Sequence, residues 1–66
     1  MSRDRELEDR IENHLLLHGP ATTRELAEKL GSAMDAVFRS CVYLAADNIL
    51  QQRRTDLYWE YIYKEK

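Results

Sequence analysis

The chain has 66 residues, 44% hydrophobic and 33% charged, with two glycines, one proline and a formal net charge of −2. That size excludes a second domain and a large core, and that balance excludes disorder, which needs few apolar residues and a large net charge. Leu15-Leu16-Leu17 and the other apolar runs are far too short to span a membrane, and Ser2-Arg3-Asp4-Arg5-Glu6 does not read as a signal peptide, so neither is expected. A single cysteine, Cys41, cannot form an internal disulfide and fits a reducing compartment, so a cytoplasmic domain is expected. The acidic surplus lies entirely in residues 1–19, where three arginines face five carboxylates. The remaining residues are balanced and show no basic footprint of the kind most nucleic-acid binders carry.

Residues 4–18 predict an amphipathic helix. Leu7, Ile11 and Leu15 recur every four residues with His14 and His18 beside them, and the pairs Glu6/Arg10 and Arg5/Asp9 support the solvated side. Gly19-Pro20 ends it, glycine taking the left-handed cap and proline refusing to continue the ladder. Thr22-Thr23-Arg24-Glu25 then forms a capping box that opens a second helix over 23–30, with Leu26, Ala27 and Leu30 inward and Gly31 in the turn. Ser32-Ala33-Met34-Asp35 repeats the capping pattern and starts a third helix over 33–47, whose apolar stripe is Val37, Cys41 and Leu44. Asn48 tolerates a left-handed cap.

Beyond Asn48 the composition turns to strand formers. Ile49–Arg54 and Leu57–Tyr63 predict a short antiparallel hairpin over about 49–63 with its tip near Arg54-Thr55-Asp56. Trp59, Tyr61 and Tyr63 fall on one face, and Tyr58, Glu60 and Ile62 on the other. An isolated hairpin is marginal in water, so this one has to pack on the helices.

Two helices joined by a short glycine-containing turn, followed by a hairpin, have the layout of a helix-turn-helix with a wing. Pro20-Ala21-Thr22-Thr23-Arg24-Glu25-Leu26-Ala27-Glu28-Lys29-Leu30-Gly31 resembles the P-x-T-x-x-E-L-A-x-x-L-G second helix of winged helix-turn-helix domains in small bacterial and phage transcriptional regulators. Val37 and Leu44 are spaced like that family's core pair, and Asn48-Ile49-Leu50 stands where its members commonly carry Gly-Leu-Val. The resemblance covers about residues 5–63. It implies one α+β domain over 1–66, three helices and a two-stranded wing, with Pro20-Ala21-Thr22 as a very short extra strand against the wing. It further implies a transcription regulator that binds double-stranded DNA, the third helix in the major groove and the wing on the backbone or minor groove.

Read that way, the DNA contacts are Thr23 and Arg24 at the start of the second helix, and Asp35, Arg39, Ser40 and Tyr43 on the third. Arg53 and Arg54 on the wing complete the set. A homodimer would double this footprint. The third helix departs from the pattern by carrying Met34, Phe38 and Val42 four apart on its outer side. A base-reading face offers polar groups instead, so this line suggests a protein-interaction module as the alternative.

Other chemistry finds little footing in the sequence. His14 and His18 have metal-ligand spacing, but only Cys41 could serve as a third ligand, so both read as packed residues and no cofactor is expected. Cys41 reads as a small buried hydrophobe. No glycine-rich phosphate loop or nucleophile motif is present, and so small a chain leaves little room for a substrate pocket, so no enzymatic activity is expected.

Overall fold

In the computed structural model, residues 3–64 are described, and they form three helices followed by a two-stranded antiparallel sheet. Helix α1 spans Arg5–His18, α2 Thr23–Leu30 and α3 Met34–Ala46, and strands β1 and β2 span Leu50–Arg54 and Trp59–Tyr63. The architecture is α+β and mostly helical, as expected.

Each helix end has an identifiable cause. Asp4 lies outside α1, as its N-cap, because its carboxylate accepts the Leu7 N–H at 3.0 Å. Gly19, at φ 87°, ends α1 and donates its N–H to Leu15 O. The capping box of α2 forms as anticipated: Thr22 Oγ1 accepts the Glu25 N–H at 3.1 Å, and the Glu25 carboxylate accepts the Thr22 N–H. The second expected box does not form. Ala33 is the N-cap of α3 and, lacking a side-chain acceptor, leaves the first turn without one. At the other end Asn48 takes the left-handed conformation at φ 62°, with its N–H on Ala45 O and the Ile49 N–H on Leu44 O. These two bonds are the reciprocal closure that a left-handed residue after a helix permits.

Strands β1 and β2 pair from Leu50 opposite Tyr63 to Arg54 opposite Trp59. The tip is longer than expected and runs from Thr55 to Tyr58. The Thr55 N–H meets Tyr58 O at 2.8 Å, and the Thr55 hydroxyl accepts the Tyr58 N–H. Threonine here does the work that a glycine-containing turn does elsewhere, since its hydroxyl stands in for a backbone partner. Ala21 joins β2 through a two-way bridge to Tyr61, with N···O distances of 3.1 and 2.7 Å. The extra pairing predicted at 20–22 is therefore present.

A single cluster runs through every element: Leu7, Ile11 and Leu15 of α1, Ala21, Leu26 of α2, Val37, Cys41 and Leu44 of α3, Leu50 of β1 and Tyr61 of β2. The predicted stripes of α1 and α3 lie in it whole, while on α2 only Leu26 does, with Ala27 and Leu30 partly buried against it. Of the aromatic face on β2, Tyr61 is buried and Tyr63 half-buried, whereas Trp59 is exposed and outside the cluster. No helix among the described residues is long and apolar enough to cross a membrane.

Candidate nucleic-acid interface

The bridge between Ala21 and Tyr61 decides what the hairpin can reach. It fixes β2 beside the segment leading into α2, so the residues after Ala21 come level with those before Tyr61. Between them lies an open groove of about 540 Å³ lined by Thr22, Thr23, Arg24, Glu25, Tyr58 and Trp59. One wall is the first turn of α2, where the N–H groups of N-terminal residues lack intrahelical acceptors. The capping box uses the Glu25 N–H, and the Glu25 carboxylate at the same end opposes an anion. The other wall is aromatic. Tyr58 and Trp59 are 49% and 52% exposed, and the Arg54 guanidinium lies 5.8 Å from the Trp59 ring centroid. That is cation–π distance.

Two of the predicted contact residues, Thr23 and Arg24, thus line one groove, and a third, Arg54, lies over the ring of Trp59 in its aromatic wall. Arg24 makes one loose ion pair, to Glu28 at 3.7 Å, with both side chains solvated. Arg54 forms no ion pair among the described residues, and neither does Arg39, which is exposed on α3. Asp35 is also exposed on that helix, one turn before Arg39, and the two are unpaired.

The remaining three predicted contacts are buried or already have a partner within the chain, although the Arg53 side chain is still 54% exposed. Ser40 is buried, not displayed. It stands three residues after Val37 and four before Leu44, which places it on the inward stripe whatever its polarity. Tyr43 is half-buried, with the Arg3 guanidinium 4.8 Å above its ring. Arg3 also donates to both oxygens of the buried Glu8, at 2.6 and 3.1 Å, and to Asp47 at 2.9 Å. These contacts hold the Arg3 proton more tightly than usual, the Glu8 bonds most of all. Arg53 is bound across the strands to Glu60, whose carboxylate is nearly buried. Its charge is matched at home, so the two adjacent arginines of β1 are not equivalent: alternation turns Arg53 to Glu60 and Arg54 to Trp59.

Two features escaped sequence reasoning. The ion cluster of Arg3, Glu8 and Asp47 joins residues far apart in the chain, and no local spacing announces it. The exposure of Trp59 was equally hidden, because alternation gives the face of the sheet but not where the underlying core stops.

The outer line of α3 is as exposed as its spacing implied: Met34 51%, Phe38 53% and Val42 45%. Cys41 is fully buried and burial pushes its thiol up to about 12, which leaves no thiolate for chemistry near neutrality. The His14 and His18 rings lie 4.7 Å apart, tilted by 43°, His14 half-buried and His18 exposed where a packed residue was expected, and they line a second cavity of about 270 Å³ with Glu25 and Lys29. Burial lowers the His14 pKa, and His18 and Lys29 lower it further against the opposing pull of Glu25. No group of three or more potential metal ligands occurs among the described residues.

No protein family matches this chain, and neither does any curated protein or solved structure.

Proposed function

We propose that the chain is a winged helix-turn-helix domain that binds double-stranded DNA and regulates transcription. In this reading α2 and α3 are the helix-turn-helix and the hairpin is its wing. The observation that carries the proposal is the groove where Thr23 and Arg24 face the hairpin that presents Arg54. Cations and free N–H groups gathered on one side are what a phosphate backbone requires. Arg39 and Asp35 are the polar groups that α3 offers to base edges, and Ser40 is withdrawn from that set by its burial.

So few cations predict weak binding by one copy that fades with salt along a shallow slope, since the slope scales with the number of phosphates neutralised. The test is a titration of the isotope-labelled chain with duplex DNA at low and at physiological salt. Shifts are expected at residues 23–24, 39 and 54, fading as salt rises. Arg54→Gln should weaken binding on all sequences alike and flatten the slope of log affinity against log salt by about 1. Unchanged affinity in both Arg24→Gln and Arg54→Gln would remove the proposal's basis. Arg53 is the wrong residue for this test, since reversing its charge sets two carboxylates against each other across the sheet.

The second reading, a protein-interaction module, is favoured by the exposed line of Met34, Phe38 and Val42. Under it Phe38→Ser abolishes capture of a stoichiometric partner, and no duplex binds even at low salt.

A further inference from the structure

The groove that supports the DNA reading contains something a duplex cannot use. Tyr58 and Trp59 are large rings, about half exposed, at the place where the backbone of the nucleic acid is expected. Inside a duplex the faces of the bases are stacked on one another and are not offered to a protein. An exposed indole with a guanidinium 5.8 Å from its centroid and a second guanidinium, Arg24, on the facing wall suits a ligand that is planar and anionic at once. An unpaired nucleotide has that chemistry: a base to stack and a phosphate to pair.

We infer that this groove binds an unpaired nucleotide of a single-stranded segment, its base stacked on Trp59 and its phosphate held by Arg24 and Arg54. The inference rests on the nucleic-acid reading above and narrows it, from a duplex alone to one that presents an unwound or single-stranded stretch. Charge favours this ligand over an apolar peptide, because Arg24 and Arg54 stand against the single carboxylate of Glu25 at the groove. Arg54 has no carboxylate partner among the described residues, so an anion satisfies it where an apolar peptide would leave it bare. The groove also has the room, at about 540 Å³, for one base with its sugar and phosphate.

Trp59 is the one tryptophan in the chain, so its fluorescence reports the event directly. The intact protein is titrated at low salt with an oligothymidylate of about ten nucleotides, with the matching oligouridylate, and with a relaxed closed-circular duplex that has no ends. Quenching by one or both oligomers supports the inference, and which of them quenches tells DNA from RNA. Trp59→Ala, followed through the anisotropy of a labelled oligomer, should lose about tenfold or more in affinity. Trp59→Phe should recover most of that loss, and both variants should keep a cooperative melting transition, because Trp59 is not part of the buried core cluster. If neither oligomer quenches while the closed duplex binds, the inference is overturned and the duplex reading stands. If no nucleic acid binds at all, both fall together. Equal oligomer affinity in the parent and in Trp59→Ala also overturns it, since stacking would then contribute nothing.

Discussion

His14 shows how one side chain can write a pH dependence into so small a domain. Its folded pKa lies below the ordinary 6.5, first because of burial and then because of His18 and Lys29. The unfolded chain therefore takes up the proton more readily than the folded one. Stability should be flat above pH 6.5 and fall as pH drops from there through the lower folded value. His14→Gln should remove that part of the slope, as read from urea midpoints measured across the range. Glu12 departs in the opposite sense: burial, Asp9 and Glu8 raise its pKa, so its charged form is carried at a cost at neutral pH.

At the scale of elements, α2 and α3 form a controlled comparison. The first has a complete capping box and the second begins at Ala33 with no side-chain cap. Thr22→Ala should cost about 1 kcal/mol, and Ala33→Asp should gain a similar or smaller amount, both read by chemical denaturation. If Ala33→Asp destabilises the chain, the first turn of α3 is held by something other than its cap. The same pair of helices shows what the sequence could and could not disclose. Leu26, Val37, Cys41 and Leu44 were legible because helical periodicity is local arithmetic, and so was the left-handed Asn48, because asparagine is one of few residues that tolerate it. Ser40 was misassigned by its polarity, although its spacing already put it inward. The partner of Arg53 was within reach once the strand register was known, but the register depends on where the Thr55 turn begins. With no Asn-Gly or Asp-Gly pair at the tip, the sequence leaves that start open. The groove itself was not legible, since it exists only where a loop residue, a helix start and a strand meet.

Across the whole molecule, the bridge from Ala21 to Tyr61 couples the hairpin to the helices. Ala21→Pro removes the N–H that Tyr61 O accepts and should loosen β2 without disturbing the apolar stripe of any helix. Faster amide exchange at Tyr61, with that of Leu44 unchanged, is the expected signature. The groove beside Trp59 should widen with it, so oligomer binding and Tyr61 protection should decline in parallel. The arginine at position 3 plays a similar part from the other end. It reaches Glu8 on α1 and Asp47 just past α3, tying the start of the chain to the exit of the third helix.

The same bridge has a consequence for how the chain comes into being. Ala21 and Tyr61 are separated by most of the polypeptide, so their meeting closes a large loop and carries the corresponding entropic penalty. The helices need only near neighbours and can form early, whereas β2 has nothing to pair with at Ala21 until they are in place. On a ribosome Tyr61 also emerges after all three helices. The three helices can thus be in place while the groove is still missing a wall, and the groove is complete only once β2 has paired with Ala21.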